Sequence, residues 1–197
     1  MDDQGLRRLK RKLQRALKGR PPLELPHRGG LRRAGILVPL CLKDGRCHIL
    51  FIKRAEGLPQ HAGEMSFPGG GSDPQDGSIV ETALREAAEE VGIRPEDVEV
   101  VGRLDDLVTR SSFLVTPIVG VIPYPYPFRL NEREATELVL LPVDCFIKGD
   151  NLQEEVWGEG EESERVYFYR CGPYTIWGAT AKILRHLLGL VSCEYGP

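Results

Sequence analysis

Three glutamates in the middle of the chain are close enough in sequence to share one metal ion. Glu89 and Glu90 follow Glu86 by three and four positions, so a helix places all three on one arc of its surface. Like charges at this spacing repel one another by on the order of a few tenths of a kcal/mol per pair. Mg²⁺ relieves that repulsion, because it takes carboxylate oxygens as ligands and keeps waters and phosphate oxygens as the others. The spacing therefore predicts a metal site, with a solvated acidic helix face as the alternative.

The ends of this helix are marked in the sequence. Ser78 and Glu81 form a capping box and Gly92 is a C-terminal stop signal, so we predict a helix over residues 79–91. An apolar stripe adjoins the arc of glutamates, and its members are Val80, Ala83, Leu84, Ala87 and Val91. The helix is therefore expected to pack through this stripe and to hold the glutamates beside it.

Three consecutive glycines precede the helix. Gly69, Gly70 and Gly71 have no side chain, so their backbone can approach a ligand or a metal ion closely. The carbonyl group of Gly70 or Gly71 is a candidate metal ligand. A glycine-rich loop is weak evidence by itself, but its position before the glutamate helix strengthens the prediction of a metal site.

Residues 71–93 resemble the Nudix box, which ends in the motif Arg-Glu-apolar-x-Glu-Glu-x-Gly-apolar. Gly71 fits the leading glycine of the box, and residues 85–93 (REAAEEVGI) match the closing motif in full. The resemblance implies an α/β fold in the form of the Nudix α/β/α sandwich, with a mixed sheet and a catalytic loop-helix-loop. It also implies hydrolysis of a nucleoside diphosphate linked to another moiety, with Mg²⁺ or Mn²⁺ as the cofactor.

One position departs from the box. Gly77 stands where the box has its first glutamate. Because that glutamate usually supports the arginine of the motif, we expect Arg85 to be held by another acid, either Asp73 or Asp76. Arg85 itself is expected to orient the metal-binding carboxylates or to pair with them.

The resemblance also implies roles for single residues. The expected metal ligands are Glu86, Glu89, Glu90 and the carbonyl oxygen of Gly70. The general base is expected to be a glutamate of the box, Glu89 or Glu90, or an acid of the 131–137 loop, where Glu134 and Glu137 are the candidates. The alternative for these two loop acids is that they are solvated and have no function.

A second resemblance lies upstream of the box, to the signature of the coenzyme A diphosphatase branch of the family. The matching residues are Leu50, Arg54, Ala55, Gly63 and Phe67-Pro68-Gly69-Gly70. Similarity to this branch extends over about residues 33–190. It implies cleavage of coenzyme A or acyl-coenzyme A to 3′,5′-ADP and 4′-phosphopantetheine or its acyl form. Arg54, Gly69 and Gly70 are then expected to contact the substrate.

Pro59 replaces the second arginine of that signature. This departure favours an alternative substrate, another nucleoside diphosphate derivative such as ADP-ribose or a dinucleotide. A nucleotide-binding module without catalysis is a further alternative, although all three box glutamates are present. We interpret His61 as an idle loop histidine rather than an acid-base group, and Trp177 as a core residue rather than a platform for adenine.

The elements around these residues indicate an α/β sandwich. Two apolar runs at 34–42 and 47–52, joined through Asp44 and Gly45, predict a β-hairpin. Further strands are predicted at 97–103, 113–122, 136–141 and 166–169, with a rigid loop at 123–127, a helical turn at 143–148 and a closing helix at 177–190. Strands interrupted by one central helix and closed by another are typical of this class.

Charge is distributed unevenly along the chain. Residues 1–33 hold 11 Lys and Arg against 3 Asp and Glu, a net charge of +8, and the remaining residues hold 15 against 26, a net charge of −11. Residues 6–18 have leucines at helical spacing with basic residues between them. We interpret residues 1–32 as a basic helix and linker and residues 33–197 as the Nudix hydrolase domain. The helix is expected to pack on this domain, with binding to nucleic acid or a membrane surface as the alternative.

Composition indicates the cellular setting. Five single cysteines without a CxxC motif argue against a disulfide framework and against a structural zinc site. The apolar runs are far shorter than the roughly 20 residues that a membrane helix needs. We therefore expect a cytoplasmic protein without a membrane partner, and we expect no nucleic-acid partner. The family resemblance implies an enzyme with a small-molecule diphosphate substrate and adds a homodimer as a candidate oligomeric state.

Overall fold

The computed structural model describes residues 3–27, 29–58, 61–147, 151–160 and 163–192. These residues form two β-sheets and four α-helices. The helices are α1 (Asp3–Lys18), α2 (Ile79–Val91), α3 (Asp144–Ile147) and α4 (Gly178–Ser192), with a 3₁₀ turn at Pro95–Asp97. The strands of the larger sheet are β1 (Arg32–Lys43), β2 (Arg46–Arg54), β3 (Met65–Ser66), β4 (Gly69–Gly71), β5 (Glu99–Arg103), β6 (Leu107–Val108), β7 (Phe113–Val121) and β8 (Ala135–Pro142). The smaller sheet consists of β9 (Leu152–Trp157), β10 (Glu164–Cys171) and β11 (Tyr174–Trp177).

β1 is at the centre of the larger sheet and makes it a mixed sheet. It pairs in parallel with β7, from Arg32 opposite Phe113 to Leu40 opposite Val121, and antiparallel with β2 and β4. Beyond these neighbours, β2 pairs with β3 and β8, whereas β7 pairs with β5 and β6. α2 packs on one face of the sheet, and α4 and the smaller sheet pack on the other. The expected α/β sandwich with a mixed sheet is therefore confirmed.

α2 lies very close to the sheet because a glycine faces it. A Cβ atom at Gly35 would stand 2.5 Å from the carbonyl oxygen of Ile79 and 2.9 Å from the backbone nitrogen of Ala83. Ala83 and Ala87, which belong to the predicted apolar stripe, are fully buried in this contact. The missing side chain thus sets the height of α2 over β1, and with it the position of the glutamates.

α1 packs against the rest of the chain. It contacts β5 and α4. Its Leu13 is 2% exposed and lies in the core on the face of the larger sheet opposite to α2. Leu6 and Leu17 pack against the same core, and Arg20, just after the helix, pairs with Asp105. The prediction that the basic helix packs on the domain is confirmed. Among the described helices, none is long and apolar enough to cross a membrane.

Elements marked by local sequence signals lie where they were predicted. α2 spans the predicted 79–91, and the hairpin turn has Asp44 and Gly45 in the left-handed region, at φ values of 50° and 71°. The strand predicted at 97–103 begins at Glu99 instead, because a 3₁₀ turn precedes it. The strands that the sequence did not predict are β3, β4, β6, β9 and β11.

The prediction that the cysteines remain single is wrong for two of them. Cys145 in α3 and Cys171 at the end of β10 form a disulfide bond, with their Cα atoms 6.0 Å apart. Cys41 and Cys47 are free thiols, and Cys193 lies outside the described residues. The two bonded cysteines are 26 positions apart, so no local spacing marks them as a pair.

Candidate active site

The three glutamates of α2 lie at different depths. The helix begins where the Ser78 hydroxyl accepts the N–H of Glu81 at 3.2 Å, as the capping box predicted. Within the helix, Glu90 is 3% exposed, whereas the side chains of Glu86 and Glu89 are 16% and 55% exposed. A solvated acidic face therefore describes Glu89 but not the other two glutamates.

The backbone of β4 lies directly against the two buried carboxylates. The N–H of Gly69 donates a hydrogen bond to Glu90 Oε2 at 2.9 Å. A Cβ atom at Gly70 would collide with the carboxylate of Glu86, so a side chain there would displace that group from its present position. The glycine run is thus a short strand at the edge of the glutamate site rather than a loop.

Arg85 connects the parts of the box. Its Nε and Nη2 atoms donate to Asp76 Oδ1 and Oδ2 at 2.9 and 3.1 Å, and Nη2 also donates to the Gly71 carbonyl at 3.0 Å. Its Nη1 atom donates to Glu86 at 2.8 Å and to Glu89 at 3.3 Å. Of the two acids expected to hold Arg85, Asp76 makes the contact. Asp76 therefore takes the place of the glutamate that this box lacks.

Thr82 is a site residue that sequence reasoning missed. Its fully buried hydroxyl donates to Asp76 Oδ2 at 2.8 Å, and the N–H of Asp73 donates to the same oxygen at 2.9 Å. The Arg85 guanidinium, together with these donors, holds the pKa of Asp76 far below its usual range. The one signal in the sequence is a polar residue next to the apolar stripe of the helix.

Burial dominates the electrostatics of the glutamates. It raises the pKa of Glu90 to about 8, against the opposing effect of the Gly69 N–H. Burial also raises the pKa of Glu86, against the opposing effect of Arg85. Glu134 raises both pKa values further by like-charge repulsion. The protein surroundings therefore do not by themselves favour the ionised form of these two glutamates.

These residues suit a hard divalent cation. Oxygen donors are crowded together, Glu90 is buried and Glu86 is half-buried, and the glycine backbone leaves space beside them. Within the described ranges, no group of three or more His, Cys, Asp or Glu side chains is already arranged around one metal position. Arg85 accounts for this, because it draws Glu86 and Glu89 towards itself.

Glu134 is the loop acid that the structure brings to the box. It is half-buried, and its charge acts on both Glu86 and Glu90. The side-chain amide of Asn131 donates a hydrogen bond to Glu134 Oε1 at 2.9 Å. Asn131 therefore orients the carboxylate without engaging Oε2. The position of Glu134 is compatible with the expected role as a base.

Glu137 is placed elsewhere. It lies opposite Lys53 in the ladder of β2 and β8, where a β-bulge at Lys53 and Arg54 shifts the register. Its carboxylate accepts a hydrogen bond from the Tyr174 hydroxyl of the smaller sheet. By strand alternation it shares a face with Val139, which packs on the side of the sheet opposite to α2. The structure does not bring Glu137 to the box glutamates.

A cavity of about 550 Å³ lies on the sheet face opposite to α2 and reaches the glutamate site at β4. Gly69, Gly70 and Gly71 form part of its wall, as do Arg54 and Phe67. The buried Nε atom of Arg54 has no hydrogen-bond partner among the described residues. The positive charge of Arg54 also lowers the pKa of Glu90, because it stabilises the ionised carboxylate.

Two residues interpreted as bystanders also line this cavity. Trp177 is only half-buried, and one of its faces is stacked on Phe168, with ring centroids 6.0 Å apart. The assignment of Trp177 to the core is therefore wrong in part. His61 lines the cavity with its Nδ1 atom 3.0 Å from Glu64 Oε2. Pro59 lies outside the described residues.

Comparison with known proteins identifies the family. Residues 31–167 match the NUDIX domain. The chain is 40% identical over 162 residues to the uncharacterized Nudix hydrolase NudL of Yersinia pestis (strain Pestoides F), which covers 82% of this chain and 80% of that protein. NudL of Yersinia pseudotuberculosis serotype O:1b (strain IP 31758) is similar to the same extent. The chain belongs to the Nudix family and is a Nudix hydrolase.

Solved structures agree with the fold. The MutT protein of Methanosarcina mazei Go1 superimposes with a TM-score of 0.55 at 16% identity, over 87% of this chain and 100% of that one. A MutT/nudix family protein from Enterococcus faecalis gives a TM-score of 0.54 at 18% identity, over 86% of this chain and 65% of that one.

Nudix hydrolases generally use divalent metal ions such as Mg²⁺ and act on small-molecule diphosphates.

Proposed function

We propose that the protein hydrolyses the diphosphate bond of coenzyme A or acyl-coenzyme A, giving 3′,5′-ADP and 4′-phosphopantetheine or its acyl form. One observation carries this proposal. Residues of the upstream signature, Arg54, Phe67, Gly69 and Gly70, line the cavity at the point where it meets the glutamates of α2. A substrate in the cavity would therefore present its diphosphate to both parts of the site.

Mg²⁺ or Mn²⁺ is the proposed cofactor. Its proposed ligands are Glu86, Glu89, Glu90 and the carbonyl oxygen of Gly70. When bound, the ion would offset the charge of the diphosphate and make a coordinated water more acidic. The burial of Glu90 and the half-burial of Glu86 beside the glycine backbone support the assignment, because a cation there would replace the solvation that these carboxylates lose.

The chain itself supplies orientation and a proton acceptor. Arg85 is a positioning residue, because Asp76 holds it and it holds Glu86 and Glu89 in turn. Arg54 is the proposed phosphate contact, since it lines the cavity together with the glycines of β4 and a charged hydrogen bond to phosphate is strong. Glu134 is a candidate to take the proton of the attacking water, alongside Glu89 and Glu90. Glu137, held by Tyr174 elsewhere, is a weaker candidate.

The alternative substrate class is another nucleoside diphosphate derivative, such as ADP-ribose or a dinucleotide. The observation that favours it is Pro59, which stands in the place of an arginine of the coenzyme A signature. The same cluster of glutamates, glycines and Arg85 would serve this reaction. The two proposals therefore differ in how the cavity binds the groups on either side of the diphosphate.

Mass spectrometry of the products distinguishes these substrates. The protein is incubated with Mg²⁺ or Mn²⁺ and, in separate reactions, with coenzyme A, acetyl-coenzyme A, ADP-ribose and diadenosine polyphosphates. We expect coenzyme A to yield 3′,5′-ADP and 4′-phosphopantetheine. Intact coenzyme A beside turnover of ADP-ribose would refute the coenzyme A assignment while leaving the diphosphatase assignment in place.

Two further expectations complete the proposal, a cytoplasmic location and a homodimer. Light scattering during size-exclusion chromatography measures the mass of the particle and tests the second. Imaging or fractionation of the native protein tests the first. The disulfide between Cys145 and Cys171 argues against a cytoplasmic location, because disulfides are rare in cytosolic proteins.

A further inference from the structure

The cavity extends well beyond the box glutamates. Its floor includes four neighbouring strands in the order β4, β1, β7 and β6. Neighbouring strands lie about 4.8 Å apart, so β6 is roughly 14 Å from the glycines of β4. The far end of the cavity, at the turn between β6 and β7, is therefore separated from the diphosphate site by about the length of one nucleotide.

An aromatic cluster from the smaller sheet forms the wall at this far end. The rings of Trp157, Phe168 and Trp177 have their centroids between 5.9 and 6.1 Å apart. Phe168 lies almost parallel to Trp177, with 6° between the ring planes, and covers one of its faces. Trp157 and Trp177 themselves line the cavity. Such a surface suits a flat partner such as a nucleobase.

Two cations stand at the same end of the cavity. Arg110, in the turn between β6 and β7, and Lys182, near the start of α4, both line it. Both pair with the carboxylate of Glu164, Arg110 through Nη2 at 3.1 Å and Lys182 through its ammonium group. The Arg110 guanidinium also lies 5.7 Å from the ring centroid of Trp157. Glu164 balances one of the two cations, and the next carboxylate on this face, that of Glu155, accepts the indole N–H of Trp157 at 2.8 Å.

Glu164 holds the two cations in place in the absence of a ligand. It lies directly opposite Trp157 in the ladder of β9 and β10, so its carboxylate and the indole ring share one face of the smaller sheet. A guanidinium and an ammonium group offer more N–H donors than one carboxylate can accept. An anion can therefore bind as a third partner beside Glu164.

We infer that the far end of the cavity is a subsite for a nucleoside that carries a second phosphate away from the scissile bond. The base lies against Trp157 and Trp177, and the phosphate accepts hydrogen bonds from Arg110 and Lys182. The inference rests on the proposed function, because the adenosine of coenzyme A carries a 3′-phosphate in addition to the diphosphate. Arg110 and Lys182 thus become substrate-binding residues outside both sequence motifs.

Tryptophan fluorescence reports directly on this subsite, because Trp157 and Trp177 are the two tryptophans of the chain. The full chain, with Mg²⁺ present, is titrated with 3′,5′-ADP and with 5′-AMP. Neither nucleotide contains a diphosphate bond, so binding is measured without turnover. We expect 3′,5′-ADP to bind about tenfold more tightly, since it alone carries the second phosphate.

Substitutions assign that difference to the two cations. R110A and K182A should each weaken the binding of 3′,5′-ADP about tenfold and affect 5′-AMP far less. The matched control is R165A, because Arg165 is the neighbour of Glu164 in β10 but is exposed and pairs with Glu154 at 3.7 Å. Circular dichroism verifies the fold of each variant. Equal affinities of the wild type for the two nucleotides, or a preference for 3′,5′-ADP that survives both substitutions, would overturn the inference.

Kinetics with coenzyme A and dephospho-coenzyme A separate this inference from the proposed function. The two substrates share the diphosphate and differ in the 3′-phosphate. R110A and K182A should raise the KM for coenzyme A about tenfold and the KM for dephospho-coenzyme A far less. If neither substrate is hydrolysed while ADP-ribose is, the proposed function fails, and the fluorescence titration still decides whether the subsite recognises the second phosphate.

Discussion

Glu90 is the residue at which packing and chemistry conflict most directly. Its carboxylate is almost wholly withdrawn from water and accepts the N–H of Gly69, while Glu86 and Glu134 act on it as like charges. Burial of a charge without full compensation costs on the order of several kcal/mol. A bound cation would offset that cost by favouring the ionised carboxylate, so the burial that raises the pKa of Glu90 suits the proposed metal site.

E90Q should therefore separate catalysis from stability. We predict that it lowers kcat by about 100-fold or more, because it removes a proposed metal ligand while preserving the shape of the side chain. The amide oxygen can still accept the N–H of Gly69, so the melting temperature should equal or exceed that of the wild type. Steady-state kinetics and calorimetry measure the two effects. Turnover at the wild-type rate would refute the metal role of Glu90.

Asp76 acts through Arg85. We predict that D76N lowers the free energy of unfolding by about 1–3 kcal/mol, because Asp76 is the buried anionic partner of Arg85 and accepts the Thr82 hydroxyl. It should also lower kcat about tenfold or more, since Arg85 positions Glu86 and Glu89. Urea unfolding and steady-state kinetics test both effects. The control is D73N, because Asp73 is exposed and its carboxylate accepts the N–H of Gln75.

The effect of Asp76 on stability should depend on pH with a definite sign. Its pKa in the folded protein lies below the unfolded value, which is about 4. The stabilisation is therefore complete above the unfolded pKa and is lost as the pH falls towards the folded pKa. The difference in unfolding free energy between wild type and D76N should be constant above about pH 5 and shrink below it. A difference that grew on acidification would contradict this account.

The position of α2 as an element depends on the absence of a side chain in β1. G35A would place a methyl group against the first turn of α2, so the helix must move outwards and carry its glutamates with it. We predict a loss of about 1–3 kcal/mol in the free energy of unfolding, together with a lower kcat. G57A is the control, since no atom lies within 4 Å of a Cβ built at that glycine. Equal effects of the two substitutions in thermal unfolding and kinetics would contradict the proposed contact.

Elements with local signals could be predicted from the sequence, and those held by distant partners could not. Ser78 and Gly92 mark the ends of α2 through hydrogen bonds within a few residues, so its bounds followed from the sequence. β4 consists of glycines, which are poor strand formers, and it is a strand because Ala34–Ile36 of β1 pair with it. Because Gly35 pairs with Gly70 from 35 positions away, the residues around the glycines do not indicate that they form a strand.

The candidate site shows the same division. The crowding of the glutamates followed from their spacing on one helix, and the substitute partner of Arg85 followed from the acids near Gly77. The separation of Glu134 from Glu137 could not be predicted, because Glu137 is held by pairing with β2 and by Tyr174, which is 37 positions away in the sequence. The exposure of Trp177 to the cavity likewise depends on the smaller sheet, two of whose three strands the sequence did not indicate.

At the largest scale, the basic arm and the acidic body share one core. Leu13 of α1 is buried among residues of the larger sheet and α4, so L13A should lower the free energy of unfolding by about 2–5 kcal/mol. Leu23 is 54% exposed, and L23A should change it by less than about 0.5 kcal/mol. Thermal and urea unfolding of both variants provide the comparison. A loss for L13A as small as that for L23A would mean that the arm is dispensable for stability.

The larger sheet has one further consequence, because it keeps α2 and the aromatic end of the cavity on opposite faces. The two regions meet at β4, whereas Trp157, Arg110 and Lys182 belong to segments that make no part of the glutamate helix. For protein engineering, the glutamate helix and the aromatic end of the cavity can therefore be changed separately. Redesign of the turn between β6 and β7 or of the smaller sheet should change which nucleoside the proposed subsite accepts, while the glutamates of α2 keep their positions.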